Sequence, residues 1–274
     1  MADCNHNCEN CSVEGCGERV DFKAHLNELS HIKKIYAVVS GKGGVGKSMV
    51  TSSLASELAK KGLKVGILDA DITGPSIPKM FGLHEKCSAL NEKLILPVLT
   101  NLEIKVISIN TLVDDEETPI IWRGPVIAGA VKQFYEDVVW DELDVLLIDL
   151  PPGTGDVPLT IYQSIPLDGI IVVTTPQDLV SMIVMKAINM AKEMNIPLLA
   201  IVENMSYAIC PHCHEKIEIF PSSLKQIKDE VNAKISVKLP IDSHIAKACD
   251  EGKIELVNNE PLIALADLIK EELD

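Results

Sequence analysis

From about residue 33 onward, apolar positions fall into two alternating patterns. Short continuous apolar runs at Ile35–Val39, Val65–Leu68, Val145–Ile148, Ile170–Thr174 and Leu198–Val202 predict strands buried on both faces. Leu102–Ile109 and Val237–Leu239 read as two further strands. Between the runs, apolar residues recur at helical spacing. Val50, Leu54 and Leu58 mark one helix that Gly62 closes. Pro125–Trp140, with proline in its first turn, and Leu179–Met194 mark two more, and positions 262, 265, 266 and 269 mark a last one. Strands alternating with helices predict an α/β fold: a mostly parallel sheet covered by helices on both faces. Residues 1–30 break the pattern. They are rich in Cys, Asn and Glu and poor in large apolar residues, so they read as a metal-binding appendage ahead of one domain spanning 31–274. No internal repeat or low-complexity tract interrupts that domain.

The segment after the first strand carries the clearest chemistry. Gly41, Lys42, Gly43, Gly44, Val45, Gly46, Lys47 and Ser48 match G-x-x-x-x-G-K-[ST], placed between a buried strand and an amphipathic helix. Glycines let backbone N–H groups turn inward around phosphates, and the helix N-terminus adds partial positive charge. Lys47 is placed to reach the β- and γ-phosphates and the Ser48 hydroxyl to ligate Mg²⁺. The fold is therefore expected to be that of a P-loop NTPase. Such an enzyme also needs carboxylates at neighbouring strand ends. Asp149 ends Val145–Ile148 and leads into Pro151-Pro152-Gly153-Thr154-Gly155, a Walker-B-like acid followed by a Gly/Pro loop suited to sensing the γ-phosphate. Asp69 and Asp71 follow Val65–Leu68, and Asp71, further past the strand end, is the expected water-positioning residue. A strand-end or capping role is the alternative for such an aspartate.

Charge narrows the partners. The chain of 274 residues has 25 Lys+Arg against 40 Asp+Glu, a net charge of −15. That excess argues against sequence-independent binding to nucleic acid or anionic lipid. The start, MADCNHNCEN, has no apolar signal segment, and the apolar runs are too short to span a bilayer, so a soluble cytoplasmic protein is expected. No N-K-x-D guanine-reading sequence occurs, which favours ATP.

Lys42 inside the loop, DADITGPS at 69–76, IDLPPGTGD at 148–156 and VENMSY at 202–207 together resemble the Mrp family. These are iron–sulfur cluster carrier ATPases of the deviant-Walker class, related to MinD, ParA and the nitrogenase iron protein. The resemblance covers about Lys33 to the C-terminus. It implies ATP hydrolysis coupled to cluster binding and transfer to apo-proteins, within a homodimer. It implies that Lys42 reaches the partner's phosphates and that Asn204 lies against adenine. Positioning ATPases of the MinD or ParA type are the alternative, but the C-terminal Lys270-Glu271-Glu272-Leu273-Asp274 is acidic, not a basic membrane-binding helix. A reductase like the nitrogenase iron protein is a third reading, disfavoured because its cluster cysteines are not paired as C-x-x-C.

Eight cysteines are many for a reducing compartment, and their clustering suggests metal or redox chemistry. Cys210-Pro211-His212-Cys213 admits three readings: a redox pair, a zinc knuckle completed by His212 or His214, or half of an iron–sulfur site completed by a second subunit. The strand-like alternation of His214–Phe220 argues against the first, because redox pairs usually open a helix. The Mrp resemblance implies the third, a four-iron cluster bridging two subunits. Cys4, Cys8, Cys11 and Cys16, spaced C-x₃-C-x₂-C-x₄-C, can wrap one metal or cluster, and thiolate softness favours iron–sulfur over zinc. The spacing is not the ferredoxin one, and Mrp relatives with an N-terminal four-cysteine cluster space it more widely. His6 reads as a solvated neighbour, Cys249 on the helical stretch His244–Asp250 as packed, and neither Cys87 nor Cys249 as a ligand.

Overall fold

The computed structural model describes residues 23–72, 74–113, 122, 124–176, 182–222, 224 and 231–273. A central sheet runs through the molecule. Its strands are β1 (Ser30–Ser40), β2 (Val65–Asp69), β5 (Val98–Leu99), β6 (Lys105–Ile107), β7 (Asp141–Asp149), β8 (Gly169–Thr174), β9 (Leu198–Ile209), β10 (Lys216–Ile217) and β11 (Ile235–Pro240). Their order is β10-β9-β8-β1-β7-β2-β6-β5, with β11 also paired to β9. Strands β1, β2, β6, β7, β8, β9 and β11 are mutually parallel, and only the short β5 and β10 run antiparallel to their neighbours. A two-stranded ribbon, β3 (Ser88–Ala89) and β4 (Ile95–Leu96), lies apart from it.

The helices are α1 (Lys47–Lys60), α2 (Ile77–Phe81), α3 (Gly124–Asp137), α4 (Asp156–Ser164), α5 (Met182–Glu193), α6 (Ser243–Asp250) and α7 (Glu260–Glu271). The strand period of two sends alternate residues to opposite faces. Val145 and Leu147 of β7 pack with Val50, Leu54 and Leu58 of α1 and Leu262, Leu265 and Ile269 of α7. Leu146 and Ile148 pack on the other side with Val131 and Phe134 of α3, Ile161 of α4 and Ile188 of α5. This is the expected α/β architecture with both faces covered.

Several elements differ in extent from the sequence expectation. Strand β1 begins at Ser30, because its polar first half still pairs with β7 from Ser30 opposite Asp141 onward. There Lys33 and Lys34 reach outward to Asp144 and Asp168 at 2.7 and 2.9 Å. Strand β9 continues past Val202 to Ile209. The run Leu102–Ile109 shrinks to Lys105–Ile107, because a tight turn precedes it, with Glu103 at φ 60° and the Ile104 N–H donating to Thr100 Oγ1 at 3.1 Å. The helix expected over Pro125–Trp140 stops at Asp137. Trp140 is instead anchored, its backbone N–H donating to Ser30 Oγ at 2.9 Å and its indole N–H to Tyr135 O at 3.2 Å.

Residues 23–30, assigned from composition to the appendage, pack on the domain. Ala24 is buried and its N–H donates to Ser164 O at 2.9 Å. Asn27 Nδ2 donates to both Glu136 O and Val138 O at 2.8 Å.

One close approach joins the end of α2 to the chain after α6. Gly82 ends α2 and Gly252 follows α6, both with left-handed backbone, φ 66° and 71°. A Cβ on Gly82 would lie 2.9 Å from Gly252 O, and one on Gly252 would lie 2.5 Å from Gly82 Cα. The two main chains touch there.

Candidate nucleotide and cysteine site

The carboxyl ends of the parallel strands form the crevice where ligands bind in open α/β sheets. Strand β7 lies between β1 and β2, so Asp149 falls in register with Val38 on one side and Asp69 on the other. The glycine loop leaves β1 and enters α1. Gly153 N–H, from the loop after β7, donates to Ser40 O at 2.8 Å, fastening the two loops together.

Asp149 is fully buried and organises the floor of the site. Lys47 Nζ donates to its Oδ2 at 2.7 Å and Ser48 Oγ to the same oxygen at 2.6 Å. Thr51 Oγ1, one turn further along α1, donates to Oδ1 at 2.7 Å. A buried carboxylate is tolerable only when charge and lone pairs are matched in this way. Thr51 was not among the residues expected from sequence, although its position four residues after Lys47 puts it on the same helix face.

The two aspartates after β2 are in different environments. Asp69 is buried, accepts from Ser108 Oγ at 3.0 Å and from Asp71 N–H at 3.2 Å, and has its pKa raised to about 7 by burial and then by the nearby Asp149 charge. Asp71 is half-exposed and lines a cavity of about 260 Å³ with Lys42, Gly43, Gly44, Lys47 and Ser48. Ser108, at the end of β6, was also missed, because only the sheet order brings it to Asp69.

A second cavity, of about 400 Å³, opens beside the first and shares Gly46, Met49 and Met80 with it. Its walls are mostly apolar, from Leu239 and Pro240 at the end of β11, Ile241 just after it and Ile245 on α6. Asn204 lines it and is fastened to the glycine loop. Its Nδ2 donates to Val45 O at 2.9 Å and its Oδ1 accepts from Met205 N–H at 2.9 Å. A Cβ at Gly46 would lie 2.3 Å from Asn204 Nδ2, so glycine is required for this contact. Asn259, another residue that sequence reasoning passed over, also lines the cavity.

Strand β9 carries Asn204 at the nucleotide crevice and leads directly into Cys210. The β9–β10 hairpin is pinned by Cys210 N–H to Glu215 O and His214 N–H to Cys210 O, both 3.0 Å. Only Lys216–Ile217 of the strand-like His214–Phe220 segment pairs as strand. Cys213 is exposed and Cys210 partly so. Backbone N–H groups of Cys213 and His212 stabilise the Cys210 thiolate and hold its pKa below the usual thiol value, which favours metal ligation. Among the described residues no three His, Cys, Asp or Glu side chains converge as a metal site. Cys87 is half-buried and Cys249 buried on α6, where burial raises both thiol pKa values. Cys4, Cys8, Cys11 and Cys16 lie outside the described residues. No helix among the described residues is long and apolar enough to cross a membrane.

The chain is similar to known proteins. The family model for the ParA-type, NUBPL iron-transfer P-loop NTPases matches residues 31–272. A protein of Clostridium perfringens named iron-sulfur cluster carrier protein is 44% identical over 268 residues, 94% of this chain and 94% of that one. Its namesake in Methanocaldococcus jannaschii is 46% identical, over 92% and 90% of the two chains. A solved nucleotide-binding protein from Archaeoglobus fulgidus, in complex with ADP, superposes with a TM-score of 0.73 at 45% identity, over 82% of this chain and 88% of that one. The cell division ATPase MinD of Pyrococcus furiosus shares the fold, with a TM-score of 0.63 at 21% identity over 88% and 99%. With that model matched over residues 31–272 and relatives 44% and 46% identical over more than nine-tenths of its length, the chain belongs to the family of ParA/NUBPL iron-transfer P-loop NTPases.

Proposed function

We propose that this protein is an ATP-hydrolysing iron–sulfur scaffold and carrier that delivers clusters to apo-protein clients and works as a homodimer. One observation carries the reading. A single strand, β9, holds Asn204 against the phosphate loop at 2.9 Å and six positions later presents Cys210. Nucleotide site and cysteine pair are joined by one strand, with Asn204 inside β9 and Cys210 directly after its last residue, Ile209. The names of the relatives, iron-sulfur cluster carriers, and the ADP bound to the Archaeoglobus fulgidus protein support the same reading.

The residues divide the work. Backbone N–H groups of residues 41–48 hold the phosphates, and the Lys47 ammonium offsets charge on the β- and γ-phosphoryl oxygens. Ser48 Oγ and the Asp149 carboxylate, 2.6 Å apart, are hard oxygen donors that suit Mg²⁺, which when bound would offset the phosphate charge. Thr51 keeps Asp149 in place through its other oxygen when Lys47 turns to the nucleotide. Asp71, at the cavity wall, orients the attacking water. Lys42, exposed on the loop, reaches the phosphates of the second subunit. Cys210 and Cys213 supply two thiolates to the transferred cluster, and the second subunit supplies two more. The Cys4, Cys8, Cys11 and Cys16 segment carries a further cluster.

The test is iron and acid-labile sulfide per protomer after anaerobic reconstitution, in wild type and in Cys210→Ala/Cys213→Ala, with transfer to an apo-ferredoxin acceptor. The double variant is expected to lose the bridging cluster and all transfer from it while still hydrolysing ATP. Unchanged iron, sulfide and transfer would overturn the reading.

A further inference from the structure

Asn259 is buried, 3% exposed, yet neither side-chain atom, Oδ1 nor Nδ2, has a hydrogen-bond partner. Buried amides without partners are rare and costly, so such a group in a cavity wall points to a ligand that completes it. The residue's backbone is fully engaged. Its N–H donates to Glu57 Oε1 at 3.0 Å, and its carbonyl accepts from Leu262 N–H at 2.8 Å. It stands at the N-cap position of α7, but its side chain makes no capping bond. The amide is therefore fixed in place and idle.

The cavity it lines is the apolar one that opens from the phosphate loop through Gly46, Met49 and Met80. Slots of this kind take a flat ring between apolar walls and fix its orientation with a few polar groups. Of the other polar side chains on its wall, the Asp250 carboxylate can only accept, and Asn204 and Asp242 have partners. Asn204 is bonded at both amide ends, and Asp242 Oδ1 accepts from His244 N–H at 2.7 Å as the cap of α6. Asn259 alone among the lining side chains offers a donor and an acceptor side by side, both unused. An amide matches an edge presenting one donor beside one acceptor, as adenine does with its 6-amino group and the adjoining ring nitrogen.

We propose that Asn259 is a specificity-determining residue for the nucleotide base, its Oδ1 accepting from the 6-amino group and its Nδ2 donating to the neighbouring ring nitrogen. This rests on the reading of the crevice as an ATP site.

Calorimetric titration of the full-length protein with ATP and with purine riboside 5′-triphosphate, which lacks the 6-amino group, tests it, both with Mg²⁺. Wild type is expected to bind ATP roughly tenfold to a hundredfold more tightly, the worth of one or two buried hydrogen bonds. Asn259→Ala is expected to weaken ATP by a similar factor and to bind both nucleotides alike. Asn259→Ser, an uncharged residue common at N-caps and so a second variant for folding, is expected to lose the preference for the 6-amino group as Asn259→Ala does. Full wild-type preference retained by both variants, with Lys47→Ala still abolishing binding, would overturn the role of Asn259 and leave the ATP site standing. Weak ATP binding that Lys47→Ala leaves unchanged would overturn the ATP site itself, and this proposal with it.

Discussion

Lys47 and Asp149 form the most deeply buried ion pair among the described residues, 6% and 0% exposed, so removing either partner strands a charge. Lys47→Ala is expected to cut ATP turnover by roughly 10²–10³-fold or more, because it removes a fixed cation from the phosphate site. Lys42→Ala is expected to bind ATP almost normally and hydrolyse it poorly, which equilibrium binding and steady-state turnover on the same variant will separate. Asp71→Ala is expected to retain ATP and lose turnover. Asp69 has a different signature. Its folded pKa is raised from 3.8 to about 7, so the proton it holds favours folding below pH 4, and that contribution fades as pH rises through 7. Asp69→Asn removes the titration. Its melting temperature relative to wild type is therefore expected to climb between pH 4 and 7 and to stay level outside that window. At this scale the phosphate loop and Asp149 were legible, because a motif states them. Ser108 and Asn259 were not. Ser108 reaches Asp69 only through the order β2-β6, and an unpartnered amide looks in sequence like any helix-capping asparagine.

Elements were legible where they are apolar and misjudged where they are not. The cores of β1, β7, β8 and β9 are continuous hydrophobic runs, but the polar first half of β1 pairs as regularly as the rest. Alternation in Leu102–Ile109 hid a turn that only the left-handed Glu103 reveals. Composition drew the N-terminal boundary at 30, whereas contacts begin by residue 24, because Ala24 and Asn27 make their bonds with few apolar atoms. Residues 1–22 are poor in large apolar residues, so their removal is expected to leave thermal unfolding nearly unchanged. Asn27→Ala, which leaves the carbonyls of residues 136 and 138 without that donor, is expected to cost about 1–3 kcal/mol in a urea titration.

For the whole molecule, the proposed cluster shared by two subunits, each giving two thiolates, would make cluster retention and self-association one linked equilibrium, each favouring the other by the same free energy. In the protein lacking residues 1–22, where the other four clustered cysteines cannot confuse the result, Cys213→Ala is expected to lose the cluster and shift from dimer to monomer in light scattering without nucleotide. A metal-loaded monomer in the parent protein would contradict the shared site. The contact of Gly82 with Gly252 bears on how such a molecule can change over generations. Most packed pairs drift by compensation, one side chain growing as its neighbour shrinks. Here both members are already the smallest residue and both have left-handed backbone, so no first step is open to either. A library randomised at both positions and selected for folding is expected to return glycine at both. That would leave the end of α2 and the end of α6 joined through every selected variant, while the chain around them varies.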